Sequence, residues 1–246
     1  MKIIGIIPAR YASTRFPAKS LAVIKGKSMI QRVYEQAAQS SALNDIVIAT
    51  DHKEIYDHVK KFGGAVCMTS PDHVSGTDRC HEALSRQQKK FDYIINIQGD
   101  EPFIQPQQID LLAGRLDGTT EIATLVKSIE TEEQLFNPNV VKAVCNNLME
   151  ALYFSRSPVP HIRGIPESEW LGKFKFYKHI GMYAYRTDVL ERLHRLSPSS
   201  LEKAESLEQL RWLENGFKIS VAETTTETIG IDTPDDLERA IQAFKS

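Results

Sequence analysis

The sequence predicts a doubly wound α/β fold with a mostly parallel sheet and a smaller appended lobe. Three observations carry that prediction. Short β-branched apolar runs alternate with amphipathic stretches at helical spacing through the first half of the chain. The first of those runs is apolar on successive residues, as in a strand covered on both faces. After about residue 138 the alternation gives way to hairpin and aromatic-strand patterns.

The elements follow in order. Lys2-Ile3-Ile4-Gly5-Ile6-Ile7 reads as the first buried strand. Ser28 followed by Gln31 has the form of a capping box, and Met29, Ile30, Val33 and Ala37 then recur on one helical face. Ile46-Val47-Ile48-Ala49 is a second strand, and Ile55, Val59 and Phe62 mark a second helix. Gly63-Gly64 stops that helix before Ala65-Val66-Cys67-Met68, a third strand. A helix near Asp78–Gln88 leads to Tyr93-Ile94-Ile95-Asn96-Ile97, a fourth. Helices inserted between buried strands imply parallel pairing.

Farther along, Val140–Cys145 and Ala151–Phe154 flank Asn146-Asn147, which reads as a hairpin turn. Ser157–Lys175, with three prolines and two glycines, reads as a long loop or arm. A strand over Phe176–Tyr185, a helix near Ala204–Leu213, a strand near Lys218–Ala222 and a helix from Thr233 close the chain. With no internal repeat or low-complexity linker, residues 1–246 form one domain, in which 138–185 make a hairpin-and-arm lobe.

Composition narrows the function classes. At 246 residues and 41% hydrophobic content, the chain can fill one large core. A net charge of -2 with dispersed Lys and Arg gives no support to a nucleic-acid groove or a membrane patch. The opening MKIIGIIPAR is too short in apolar residues for a secretion signal, and no apolar run approaches the roughly 20 residues of a membrane helix. Cys67, Cys80 and Cys145 are odd in number, far apart and without metal-ligand spacing, which fits free thiols in a reducing cytoplasm. The seven histidines show no H-x-x-x-H pattern and no Cys partner, so zinc is not expected.

Chemistry gathers where open α/β sheets place it, in loops at the carboxyl ends of strands. The loop Pro8–Lys19 sets Arg10, Arg15 and Lys19 among small residues directly after a buried strand. Its backbone N–H groups can surround phosphate oxygens while the cations neutralise them. It has neither a G-x-G-x-x-G nor a Walker pattern, and its alternative reading is a solvated basic loop. A second loop, Asn96-Ile97-Gln98-Gly99-Asp100-Glu101-Pro102, ends another buried strand with a carboxylate suited to Mg²⁺. Ile229-Gly230-Ile231-Asp232-Thr233-Pro234 offers a second Asp, either a metal ligand beside Asp100 or a helix N-cap. Tyr183 and Tyr185 share one face of a strand, as core-edge aromatics or as hydroxyl donors. Glu205 and Glu208, three apart on a helix, could equally be a solvated acidic face. Ser13 and Thr14 have no apparent His-Asp partner, so a nucleophilic hydrolase is not supported.

The runs IIPARYASTRFPAKSL, SGTDRCHEA, NIQGDEPFI, HIGMYAYR and GIDTPDDLERA, in that order and at matching spacing, resemble the bacterial CMP-Kdo synthetases (3-deoxy-manno-octulosonate cytidylyltransferases). The resemblance spans the chain from first strand to last helix. It implies a nucleotide-diphospho-sugar transferase-like fold and transfer of CMP from CTP to the anomeric hydroxyl of Kdo, for lipopolysaccharide biosynthesis. Carried over residue by residue, it implies that Arg10, Ser13, Thr14, Arg15 and Lys19 hold the CTP phosphates. Pro8, Ala9, Ser75, Gly76, Thr77 and Arg79 would frame cytosine and ribose. Asp100 and Asp232 would hold Mg²⁺, and Arg10 and Lys19 join them as catalytic residues. Gln98, Arg156, His179, Tyr183, Tyr185, Glu208 and Gln209 would surround the sugar acid. The arm after Arg156 (His161-Ile162-Arg163-Gly164) departs from the family pattern. The lobe over 138–185 is expected to bind the sugar and to make a homodimer through Trp170, Phe174 and Phe176. The alternatives are a CMP-sialate synthetase, a nucleotide-sensing module without turnover, and a structural interaction protein; the last leaves the cationic loop unexplained.

Overall fold

Strand β1 (Ile3–Ala9) is buried along nearly its whole length because it is flanked on both edges, by β4 (Asp45–Thr50) and by a strand given below. Between β1 and β4 lie the ribbon β2 (Val23–Ile24) and β3 (Lys27–Ser28) and helix α1 (Met29–Ala37). Lys25 and Gly26 both take positive φ in the ribbon's two-residue turn, the conformation a tight hairpin needs. The Ser28 hydroxyl accepts from the Gln31 N–H at 3.2 Å, and Met29, Ile30, Val33 and Ala37 bury the expected face. Then follow α2 (Lys53–Lys61), β5 (Val66–Met68), α3 (Gly76–Ser85), β6 (Tyr93–Asn96) and α4 (Pro106–Ala113). β1 pairs in parallel with both β4 and β6, and β4 in parallel with β5, giving the order β6-β1-β4-β5. This is the doubly wound arrangement the alternating runs predict.

The computed structural model describes residues 1–12, 16–226 and 230–243. The chain divides into two compact units, one of Met1–Ala113 with Thr228–Ser246 and one of Gly114–Glu227.

The second unit is built on β7 (Ile122–Ser128), followed by α5 (Glu132–Phe136), β8 (Lys142–Cys145), β9 (Ala151–Ser155), α6 (Trp170–Lys173) and β10 (Tyr177–Arg186). Helices α7 (Thr187–His194), α8 (Ser200–Glu205) and α9 (Glu208–Glu214) precede β11 (Ile219–Glu223). β10 runs antiparallel to β7 and β8, β9 antiparallel to β8, and β11 parallel to β7. The expected hairpin is present, with the Asn146 carboxamide accepting from Leu148 N and Glu150 N across its turn.

The sequence differs from the structure in two places here. The single helix expected near Ala204–Leu213 is two, because Ser206 takes a left-handed φ of 53° and terminates α8. The arm is not an exposed aromatic extension. Trp170 and Phe176 are buried with Ile129 and Leu135 in a local core, and only Phe174 remains exposed. The cost of exposing these rings therefore gives no argument for a dimer.

Helix α10 (Pro234–Ala243) belongs to the first unit. There Ile231 and Ala240 join Ile24 and Met29 in a fully buried cluster, with Phe16, Phe103 and Leu237 against it. Among the described residues no helix is long and apolar enough to cross a membrane.

Candidate active site

The first unit's strand order dictates where its site lies. From β1 the chain moves outward to β4 and β5, then returns to the other side of β1 as β6. The crevice beyond the carboxyl ends of β1 and β6 is therefore a topological switch point, where open α/β sheets bind ligands. The loops leaving these strands are the two that the sequence singles out. They approach closely at Gly99, where a Cβ would fall 2.5 Å from the Pro8 carbonyl oxygen. Only glycine permits that contact.

Lys19, Asp100 and Asp232 meet at this place from positions far apart in the chain. The Lys19 ammonium donates to Asp100 Oδ2 at 2.6 Å, to Asp232 Oδ1 at 3.0 Å and to the Ile231 carbonyl at 3.4 Å. The Ile231 N–H donates in turn to the Asp100 carbonyl at 2.9 Å, fastening the two acidic segments by their backbones. Burial disfavours the charged ammonium, but Asp100 and then Asp232 outweigh it and raise the Lys19 pKa above its ordinary 10.5. The capping alternative for Asp232 is settled by its neighbour. The Thr233 hydroxyl accepts from Asp236 N at 3.2 Å and Asp236 Oδ2 accepts from Thr233 N at 2.9 Å, so Thr233 and Asp236 cap α10. The Asp232 carboxylate is left to face Lys19.

The donor set fits a hard divalent cation. Two carboxylates already converge on the Lys19 ammonium, and their oxygens are the ligands Mg²⁺ prefers. Among the described residues no group of three or more His, Cys, Asp or Glu side chains is placed to hold a metal. An ion at Asp100 and Asp232 would complete its shell with water and phosphate oxygens.

A small cavity of about 70 Å³ opens beside the β1 loop, lined by Pro8, Arg10, His73, Val74, Ser75, Gly76 and Arg79. Arg10 is exposed along it, whereas Ala9 and Thr77 are buried. Ser75 is the N-cap of α3, its hydroxyl accepting from Asp78 N at 3.1 Å. Gly76 lies beside Pro8 and the Asn96 amide, where a notional Cβ would stand at ordinary contact distance, 3.7 and 3.6 Å away. The Arg79 guanidinium lies inside the fold, donating to Asp51 Oδ2 at 2.8 Å and Thr69 Oγ1 at 2.6 Å. Glu82 steadies the same loop. Burial opposes its charge, but the Ser70 N–H, His73 and Arg86 hold its pKa down at about 2.

The second unit gathers most of the residues expected around a sugar acid. In β10 two residues, Gly181 and Met182, bulge out of register with β7, so His179, Tyr183 and Tyr185 stand opposite Val126, Thr124 and Ile122 on one face. His179 Nε2 is 2.9 Å from Thr124 Oγ1, and its ring lies 5.1 Å from that of Tyr183. Burial pushes the His179 imidazole down to about 3, which leaves it neutral at pH 7. Burial first, and then the Glu208 charge, raises the Tyr183 phenol well above its ordinary 10. Trp212 packs edge-on against both tyrosines, and Gln209 is buried on the same helix, α9.

Arg156 stands apart from this cluster. Its Nε donates to the Glu205 carbonyl at 2.7 Å and its NH1 to the Pro138 carbonyl at 3.0 Å, where it tethers the end of α8. Gln98 belongs to the first unit, half-buried in the turn that carries Asp100. Ser13, Thr14 and Arg15 lie outside the described residues. Sequence reasoning missed Asp51, His73 and Trp212. For Asp51 the signal was available, since it directly follows a strand in the run Ile46–Asp51.

Residues 4–219 match the family model described as Cytidylyltransferase. A relative from Cytophaga hutchinsonii named 3-deoxy-manno-octulosonate cytidylyltransferase is 56% identical over 240 residues, covering 97% of this chain and 96% of its own. Another of that name, from Parabacteroides distasonis, is 57% identical over 246 residues, covering 98% of this chain and 97% of its own. Among solved structures, a CMP:2-keto-3-deoxy-manno-octonic acid synthetase complexed with CTP superposes with a TM-score of 0.92 at 43% identity, covering 100% of this chain and 99% of that one.

Proposed function

This chain belongs to the cytidylyltransferase family, and on that premise we propose that it transfers CMP from CTP to the anomeric hydroxyl of 3-deoxy-D-manno-octulosonate. The observation that carries the reading is the meeting of Lys19, Asp100 and Asp232 at the switch-point crevice, in a chain whose full-length relatives bear that name. The sugar's 2-hydroxyl oxygen bonds to the α-phosphorus, the bond from that phosphorus to the β-phosphate bridge breaks, pyrophosphate leaves, and the hydroxyl proton passes to solvent. The product, CMP-Kdo, would serve lipopolysaccharide biosynthesis.

Positioning and charge neutralisation account for most of such a transfer. Arg10 and Lys19 are assigned to the triphosphate, and the cavity of Pro8, Ser75 and Gly76 to cytosine and ribose. Asp100 and Asp232 would hold Mg²⁺, which when bound supplies charge for the phosphates. The Lys19 ammonium neutralises that acidic pair and, at the end of the loop assigned to the triphosphate, would share with the ion the work of offsetting the phosphate charge. In the second unit the neutral His179, with Tyr183, Tyr185, Glu208 and Gln209, offers hydrogen-bonding groups suited to sugar hydroxyls. Arg156, whose Nε and NH1 donate to backbone carbonyls of the second unit, is assigned to the sugar acid with them.

The enzyme would work in the cytoplasm and as a homodimer. Support for the dimer comes from Leu148 and Leu152, exposed at 74% and 59% on the β8–β9 hairpin. Light scattering at micromolar concentration checks it, and a monomeric mass removes it.

Pyrophosphate release from CTP, measured with Kdo, 8-amino-Kdo and N-acetylneuraminate in turn, tests the function. Kdo should give the highest kcat/KM. A preference for N-acetylneuraminate would favour the sialate alternative, and CTP binding without turnover on any sugar acid would favour a sensing module.

A further inference from the structure

Asp51 stands at the carboxyl end of β4, between the two loops assigned to the nucleotide. Its two oxygens are divided between them. Oδ1 accepts from the Tyr11 N–H at 3.1 Å, one residue after Arg10, and Oδ2 accepts from Arg79 NH2 at 2.8 Å. Arg79 is 3% exposed and Asp51 11%, so this pair is shielded from water and salt. The guanidinium's other branch donates to Thr69 Oγ1 at 2.6 Å and to the Ser70 carbonyl at 3.3 Å, at the root of the loop that leads to Ser75. On the opposite side, the Tyr11 carbonyl accepts from Ala18 N at 3.0 Å, which closes the base of the phosphate loop. The Tyr11 ring stacks on His52 at 3.7 Å, next to Asp51 in the chain. A continuous set of contacts thus runs from the base of the phosphate loop, through one carboxylate, to the loop that frames the nucleoside.

We propose that Asp51 is a positioning residue that fixes the phosphate loop and the nucleoside loop at one separation, so that a ligand spanning both meets them already aligned. The proposal rests on the reading of these loops as the CTP site. Asp51 touches neither half of the nucleotide in this scheme. Each loop keeps its own groups whatever stands at position 51, and what Asp51 supplies is their mutual registry. For a ligand that engages two sites at once, registry enters the affinity as an effective concentration, lost when the spacing becomes variable. A ligand that engages only one loop does not depend on it.

That difference gives the test. In Asp51→Asn an amide offers one oxygen to two donors, and its NH₂ faces either Arg79 or the Tyr11 N–H. Inhibition constants of cytidine and of pyrophosphate against CTP would be measured with the KM for CTP, the KM for the sugar acid and kcat. The proposal expects the KM for CTP to rise at least tenfold, while both inhibition constants and the sugar-acid KM move less than threefold. Asp51→Glu, which keeps both oxygens, should recover part of the CTP affinity. An unchanged KM for CTP in a folded Asp51→Asn variant overturns the proposal. Equal weakening of cytidine, pyrophosphate and CTP also overturns it, because the loops would then have collapsed individually. If Asp51→Asn fails to fold, Asp51→Glu, which keeps the charge but moves both oxygens outward by one methylene, is carried through the same three-ligand comparison, and an unchanged KM for CTP there overturns the proposal. A wild-type chain that binds no CTP would instead sink the reading of the site, which separates the two failures.

Discussion

Replacing Lys19 by Met removes the cation between Asp100 and Asp232 while keeping most of the length of the side chain. The magnitude follows from exposure. A charge-assisted hydrogen bond contributes about 1.5–3 kcal/mol when sheltered, and an exposed ion pair about 0–1 kcal/mol. Lys19 and Asp100 are 15% and 28% exposed, so their 2.6 Å contact belongs near the lower end of the first range, about 1.5 kcal/mol. Asp232 is 46% exposed, which places its 3.0 Å contact at about 0.5 kcal/mol. Together the loss is about 2 kcal/mol, a fall in Tm of about 4–8 °C for a chain of this size. Two carboxylates that have lost the Lys19 charge should also bind a divalent cation more readily. Thermal melts with and without Mg²⁺, in the absence of nucleotide, read both effects. The variant should melt lower than wild type and gain more from Mg²⁺. Equal Mg²⁺ gains in both proteins would refute the claim that Lys19 occupies the charge position of a metal. The raised pKa of Lys19 gives the sign of its pH dependence. Its contribution is fully present below about 10.5, the unfolded value, and is lost as pH rises through the higher folded value.

Four further outcomes are expected. Asp100→Asn and Asp232→Asn should each lower kcat by orders of magnitude with the fold intact by circular dichroism, and near-normal turnover at saturating Mg²⁺ would remove that residue from the site. Arg10→Ala should reduce kcat/KM for CTP about ten- to a hundredfold, equivalent to about 1.5–3 kcal/mol, with unchanged CTP kinetics marking the loop as mere surface. Gly99→Ala should impair folding or CTP use severely, since its Cβ would meet the Pro8 carbonyl backbone at 2.5 Å, and a fully active variant would show that the two loops can part at no cost. His179 is held neutral in the fold with a pKa depressed to about 3, so its contribution to stability is complete above about 6.5 and is lost as pH falls from there towards 3; His179→Gln should flatten the denaturation midpoint over that window, and an unaltered profile would deny the burial effect.

Much of the first unit was legible because its signals are local. Ser28 and Gln31 cap a helix wherever it packs, and the β-branched apolar runs of β1, β4 and β6, spaced by helical stretches, suit covered strands. The second unit was less so. The stretch holding β7 and α5 received no element from the sequence, although Ile122–Ser128 became the strand on which that unit is built. Its run Ile-Ala-Thr-Leu-Val-Lys is short, and periodicity alone does not separate such a run from a buried helix. The break at Ser206 depends on a left-handed backbone at a residue without strong preference for it.

The candidate site divides along the same physical line. Which residues would leave a strand into a loop was readable, and Arg10, Lys19 and Asp100 were named on that ground. What those residues would face was not readable, because a partner is fixed by tertiary contact. Asp232 illustrates the limit. Its sequence context, Asp-Thr-Pro, suits a cap as well as a ligand. The choice turns on Asp236, which takes up the cap together with Thr233 while the Asp232 carboxylate faces Lys19. Arg79 and Arg156 illustrate the converse. Each was named as a ligand-binding guanidinium, and each has its donors engaged inside its own unit, Arg79 by Asp51 and Thr69, Arg156 by carbonyls at Pro138 and Glu205. A guanidinium has donors in a fixed fork, and protein oxygens can fill that fork as readily as a substrate can. Charge in a strand-end loop therefore marks where a site can lie, while the protein partners each guanidinium makes come from tertiary contacts that the sequence does not show.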